Sequence, residues 1–190
     1  MKRAVTTYFL EMSAPSELRL AVARMPSLRV DQAQIACPEL SRFLYTAVGG
    51  DWYWTSRLNW SYQQWEGYLQ RPELETWIGY VDGTPAGYFE LEQQAPETVE
   101  ITCFGLLRQF IGQGIGGALL TAAIRRAWQR ASQRVWVHTC SLDGPNALGN
   151  YEARGFRLYD QVTQESELPD QPPGPWPNAR PARSSDPQVS

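Results

Sequence analysis

The sequence predicts one α/β domain: a mixed, mostly antiparallel sheet of six to seven strands flanked by about four helices. Three observations predict it. A hairpin pattern over residues 76–92 runs on into a third apolar strand pattern at 99–106, which makes a meander rather than a strict alternation of strands and helices. That third strand leads into the glycine-dense stretch Gly112-Gln113-Gly114-Ile115-Gly116-Gly117, which opens a helix. An apolar strand, a short helix and a last strand follow, so helices and strands must share one core. At 190 residues the chain is large enough for one well-packed domain and too short for two ordinary ones.

The elements are legible in order. Residues 4–12 are β-branched and aromatic and read as the first strand. A turn at 13–16 precedes a mixed segment to about residue 35. Residues 38–48 place Leu40, Phe43, Leu44 and Ala47 on one helical face, and Gly49-Gly50 stops the helix. A second helix is expected over 60–70, ahead of Pro72. Strands at 76–81 and 86–92 flank an Asp82-Gly83 turn, a strong hairpin signal. The helix over 113–131 carries Leu120, Ala123, Ile124, Ala127, Trp128 and Ala131 on one face and Arg125, Arg126, Gln129 and Arg130 on the other. Residues 135–139 form a buried strand, 147–154 a short helix ending at Gly155, and 156–160 a last strand. The domain is thus expected over 1–167. Residues 168–190, rich in Pro, Ser, Asp and Arg, are expected to form a flexible tail that supplies no core.

Charge and cysteines exclude several classes. With 17 basic and 20 acidic residues the net charge is −3, so no nucleic-acid partner is implied. No apolar run reaches membrane-spanning length, and the start of the chain lacks the apolar core of a signal peptide. Cys37, Cys103 and Cys140 have no metal-ligand spacing and read as reduced, packed thiols of a cytoplasmic protein with no metal. A nucleophilic Cys140 is the weaker alternative, because nothing local lowers its pKa.

The glycine stretch is a phosphate cradle in physical terms. Glycines let backbone N–H groups approach an anion, and a helix start adds unpaired N–H groups and partial positive charge. Gly112-x-Gly114-x-x-Gly117 matches a dinucleotide fingerprint, but meander strands precede it and no acidic residue lies between Gly112 and Asp143. A Walker A lysine is missing as well.

The order of elements instead resembles the GNAT superfamily of acetyl-CoA-dependent N-acetyltransferases. Three segments carry the resemblance: Phe104-x-Leu106-x-x-x-x-Ile111-Gly112-Gln113-Gly114-Ile115-Gly116 with Ala118-Leu119-Leu120, the strand 135–140, and Ala147-x-x-x-Tyr151-x-x-x-Gly155-Phe156. The resemblance implies a sheet with a V-shaped splay, in which the pantetheine arm of acetyl-CoA lies like an added strand against Phe104, Leu106 and Leu107. The amides of Gly112, Gln113, Gly114, Ile115, Gly116 and Gly117 would hold the pyrophosphate, with Ile111 beside them in the cofactor site. Two positions depart from the family pattern. Ile111 stands where Arg or Gln is usual, with Gln109 offering a shifted match, and Gly144 stands for the usual Asn, with Asn146 and Asn150 as substitutes.

The resemblance also supplies the chemistry. Amine acetylation needs a neutral nucleophile, and an ammonium of pKa about 10.4 is only about 1 part in 2,500 neutral at pH 7, a handicap of roughly 4–5 kcal/mol. Glu100 is the candidate general base, against the bland reading of an exposed strand carboxylate; Glu90 and Glu92 are reserves, read mainly as solvated. Tyr151 is the candidate general acid toward the departing thiolate, or else a packing residue. His138, the single histidine, reads as a satisfied core residue on an apolar strand. Asp51, Trp52 and Trp54 are the acceptor-site candidates, since aromatic faces beside a carboxylate suit a cationic amine. Trp60, Trp65 and Tyr68, at helical spacing, read as core. The implied protein is a monomer or homodimer acting on a small-molecule amine. A non-catalytic CoA-binding module and a protein N-acetyltransferase remain alternatives.

Overall fold

The computed structural model describes residues 1–21, 28–95, 97–131, 133–177 and 179. Seven strands form one sheet: β1 (Lys2–Met12), β2 (Arg29–Gln32), β3 (Leu74–Val81), β4 (Thr84–Ala95), β5 (Thr98–Leu106), β6 (Arg134–Cys140) and β7 (Arg157–Glu167). Their order is β2-β3-β4-β5-β6-β1-β7, and every neighbouring pair is antiparallel except β5 and β6. Among the described residues four α-helices cover it: α1 (Pro38–Gly49), α2 (Tyr62–Leu69), α3 (Gly116–Trp128) and α4 (Ala147–Ala153).

The parallel pair creates the functional opening. β5 and β6 are in register only from Thr98–Arg134 to Ile101–Val137. Beyond that point β5 stays with β4 out to Leu106, while β6 stays with β1 out to Cys140. The two strands therefore part, and the predicted V is present. A bulge sits beside the apex: Cys103 pairs with Glu90 and Ile101 with Leu91, leaving Thr102 as the extra residue. It reverses the alternation of β5. Ile101 packs into the core under α3, whereas Cys103, two positions on, packs into the core under α1.

Each face has its own apolar core. Leu119, Leu120, Ala123, Ile124 and Ala127 of α3 meet Leu10, Met12, Phe89, Leu91, Val99 and Val137 on one side. On the other, Leu44, Tyr45 and Val48 of α1 pack with Trp65, Ile78 and Tyr88. The buried stripe of α1 thus runs through Ser41, Leu44, Tyr45 and Val48, and the expected Phe43 is 46% exposed. The helix is turned by this choice because Gly105 of β5, lacking Cβ, admits Val48 against the strand. Helix α2 begins at a Ser61–Gln64 capping box rather than at residue 60, and α3 begins at Gly116 rather than 113.

Other departures lie at the sheet edges. β2 emerges from the segment read as mixed and pairs with β3 from Arg29–Tyr80 to Gln32–Trp77. β7 runs to Glu167, well past the predicted 160, and is almost wholly exposed. The chain after it is not free. The Leu168 N–H donates to Met1 O at 3.0 Å and the Gly174 N–H donates to Gly50 O at 2.9 Å, which seats the first part of the expected tail on the fold. The rest of that tail, 178 and 180–190, lies outside the described residues. Among the described residues no helix is long and apolar enough to cross a membrane.

Candidate active site

A continuous cleft of about 2400 Å³ follows the V from the glycine loop to the chain after β7. That exceeds the ~300–1,000 Å³ of a typical small-ligand site and leaves room for two substrates. Its glycine-loop end is built by local sequence. Gly112 and Gly114 take φ of +84° and +77°, the left-handed region that costs a side-chain-bearing residue about 1–2 kcal/mol. These turns bring the chain into α3, whose start has no side-chain cap and no acidic residue in its first turn. The first turn's N–H groups thus face the cleft with the helix dipole behind them. A Cβ on Gly117 would overlap the Arg154 guanidinium, so a cation stands directly beside this anion-ready helix end. Cradle and charge fit a pyrophosphate.

The structure sorts the predicted cofactor residues. Phe104, Leu106, Ile111, Gly112, Gly114, Gly116, Gly117, Asn146 and Asn150 line the cleft. Three do not. Leu107 packs into the cores under α1 and beside Phe110, Ile115 is fully buried, and Gln113 turns its Nε2 back to Gln109 O. Ile111 is 44% exposed, so the departure at this position leaves no hole in the packing. Gly144 is filled from across the cleft: the Trp52 ring lies 3.4 Å from where its Cβ would be.

Tyr151 rises from α4 and is buried, edge-on to Phe104 and Phe156 with ring centroids 6.0 Å away in each case. Burial, seconded by the Asp143 charge, pushes its hydroxyl pKa well up, which keeps the proton that an acid must hold.

Glu100 is not a solvated strand carboxylate. Its Oε1 is 2.9 Å from His138 Nδ1, and its Oε2 accepts from Gln94 Nε2, whose own Oε1 accepts from Trp136 Nε1 at 3.1 Å. The Glu100 side chain is 7% exposed and that of His138 46%. His138 is therefore no core histidine, contrary to the expectation: it is the first β6 residue past the last paired register, at the apex of the V. The hydrogen bond to Glu100 raises its pKa, with the Glu100 charge adding to it and burial opposing. The sequence signal was weak, since Glu100 and His138 are 38 residues apart and neither strand alone announces the pairing.

Glu90 is also reassigned. It is 1% exposed, receives Arg57 Nη1 and the Tyr68 hydroxyl at 2.8 Å each, and does not line the cleft. Glu92 pairs with Arg71 at 2.7 Å. Both reserves are thereby engaged in ion pairs. Trp65 is core as expected, with Trp60 edge-on to it and to Tyr68. Asp51, Trp52 and Trp54 do line the cleft. The Trp54 indole donates to Asp143 Oδ1 at 3.4 Å, so the turn after α1 is tied to the turn after β6. Cys140 also faces the cleft, but burial and Asp143 raise its pKa and hold it as a thiol.

The acetyltransferase (GNAT) family model matches residues 36–156, and the chain belongs to that family. It is 31% identical over 81 residues to a mycothiol acetyltransferase of Corynebacterium aurimucosum, covering 41% of this chain and 26% of that protein. Among solved structures it is similar to a GCN5-related N-acetyltransferase of Sphaerobacter thermophilus, with TM-score 0.66, 13% identity, and coverage of 86% of this chain and 52% of that one. It is also similar to a GNAT family acetyltransferase of Elizabethkingia anophelis with acetyl-CoA bound, with TM-score 0.50, 22% identity, and coverage of 71% and 79%. The chain thus spans about a quarter of the mycothiol acetyltransferase and about half of the Sphaerobacter protein. The family model defines the family, and the solved structures show the fold.

Proposed function

We propose that the protein transfers an acetyl group from acetyl-CoA directly to the primary amine of a small molecule, with Glu100 as general base acting through His138 and Tyr151 as general acid. One observation carries the reading. The β5–β6 splay leads from an uncapped, glycine-lined helix end to a carboxylate–imidazole pair, with a buried, protonated tyrosine on the way. Acetyl-CoA supplies a thioester, and its phosphates suit the amides of Gly112, Gly114, Gly116 and Gly117 with Arg154 beside them.

Glu100 accepts from the Nδ1–H of His138, which leaves Nε2 with the lone pair. Nε2 removes a proton from the acceptor's ammonium form, which leaves the neutral nucleophilic amine, and the imidazolium so formed is stabilised by the buried carboxylate. The amine nitrogen then bonds to the thioester carbon, the C–S bond breaks, Tyr151 donates its hydroxyl proton to the departing sulfur, and the second proton shed by the nitrogen as the amide forms restores the Tyr151 hydroxyl. Asp51, Trp52 and Trp54 favour a cationic or aromatic acceptor at the cleft's other end.

Thiol release from acetyl-CoA in the presence of a panel of small amines tests the reading, together with calorimetric titration of acetyl-CoA. Binding with amine-dependent thiol release is expected. Absence of acetyl-CoA binding by the folded protein would overturn it.

A further inference from the structure

The geometry points to the segment 170–176 after β7 as a strap that roofs the acceptor end of the cleft and restricts the acceptor to a small amine. This inference rests on the acetyl-transfer reading and deepens it. Asp170, Gln171, Pro172, Pro173, Gly174 and Trp176 line the same cleft as Glu100 and His138. Leu168 is held to Met1 by its backbone, and Gly174 is held to Gly50 by the bond from its N–H to Gly50 O. Gly50 begins the turn that carries Asp51 and Trp52. The strap is therefore fastened at both ends, across the mouth that an amine must use.

The sequence favours this arrangement. Pro172, Pro173 and Pro175 restrict the unfolded chain, so little conformational entropy is lost when the strap seats. Gly174 takes φ +69°, which turns the chain at its point of contact. Gly50 is fitted to the strap rather than to its own helix. Its φ of −59° and ψ of −30° suit any residue, yet a Cβ there would overlap the carbonyl of Gly174 and stand 2.9 Å from Pro175 N, and its three nearest atoms all belong to the strap. The Trp176 indole is 60% exposed, an apolar face left over the cleft for a ligand to cover. A lysine presented by a folded protein would have to displace these residues, whereas a small amine fits beneath them.

Gly50→Ala lifts the strap while leaving a helical backbone undisturbed, and Trp176→Ala trims it without moving Gly50. A third form ending at residue 169 removes it. Expected for all three is a KM for the best small amine raised roughly tenfold, unchanged calorimetric affinity for acetyl-CoA, and acetylation of a lysine peptide that the unaltered protein rejects. Unchanged amine KM and unchanged peptide rejection in all three would overturn the strap. Hydrogen exchange of the Gly174 amide separates the strap from the chemistry: protection lost in Gly50→Ala supports the strap even if no amine is acetylated, an outcome that counts against the transfer reading alone. An unprotected Gly174 amide in the unaltered protein refutes the strap whatever the activity.

Discussion

Glu90→Gln should unfold the protein early without touching its chemistry. Glu90 is 1% exposed and Arg57 14%, joined at 2.8 Å, and the Tyr68 hydroxyl donates to the same carboxylate oxygen. The Arg57 guanidinium is further enclosed by the rings of Tyr68 at 4.3 Å, Trp60 at 5.2 Å and Tyr45 at 5.5 Å. Neutralising Glu90 leaves a buried cation without its counter-charge, which costs about 3–5 kcal/mol. For a chain of this size each kcal/mol lowers Tm by about 2–4 °C, so a fall of roughly 6–20 °C is expected in a thermal melt followed by circular dichroism. The triple variant Arg57→Met, Tyr68→Phe, Glu90→Leu removes charge and hydroxyl together and should recover most of that loss, because buried ion pairs are commonly replaceable by apolar residues of similar size. Below the melting range, Glu90→Gln should retain the pH–rate profile of the unaltered protein. A variant with unaltered Tm but a collapsed turnover and a shifted profile would refute this reasoning and return Glu90 to the list of bases.

Turnover should be lost as pH falls through the raised pKa of His138, above its usual value of about 6.5, since only neutral imidazole accepts a proton. The stability contributed by the His138–Glu100 pair has the opposite sign: it is full below about pH 6.5 and lost as pH rises through the folded pKa, visible as a pH-dependent Tm that vanishes in Glu100→Gln. The same variant should lower kcat by about 10²–10⁴ and move the acid limb to lower pH in initial-rate assays. Tyr151→Phe should lower kcat while leaving acetyl-CoA affinity intact, and a calorimetric loss of affinity would reassign Tyr151 to binding. Gly114→Ala, at φ +77°, should cost about 1–2 kcal/mol and weaken acetyl-CoA binding, read by calorimetry beside a thermal melt.

Legibility in the sequence followed the range of the interactions. The glycine loop, the 74–95 hairpin and the 116–128 helix are determined by neighbours within a few positions, and their signals survive reading in one dimension. Edge strands are different. β2 exists because Trp77, Ile78, Gly79 and Tyr80 offer an open strand edge, and its own residues Arg29, Val30, Asp31 and Gln32 carry no alternation. The polar half of β7 is exposed on both sides, so no burial pattern marks it. Burial of charge was the hardest to foresee. Glu90 alternates like a solvent-facing residue, yet its partner Arg57 arrives from a loop 33 residues earlier. The strap escaped for a related reason: a Pro-rich segment lacks core residues, and its anchors are backbone bonds to Met1 and Gly50 that leave no mark on side-chain pattern.

The placement of the two candidate catalytic groups follows from topology rather than from either residue alone. Val99 and Ile101 point into the core beneath α3, so Glu100, between them on β5, faces the opposite side of the sheet. Tyr151 belongs to the α3 side, where it packs with Phe104 and Phe156. A continuous sheet would keep an acid and a base on opposite faces about one layer apart, and no substrate could touch both. The parting of β5 from β6 after Ile101–Val137 removes the barrier at the one place where both faces are accessible. The Thr102 bulge keeps β5 paired with β4 through the same stretch, so the opening is made without releasing the strand. In the proposed reaction, a thioester lying in the V would meet the tyrosine from one face and an amine deprotonated by His138 from the other.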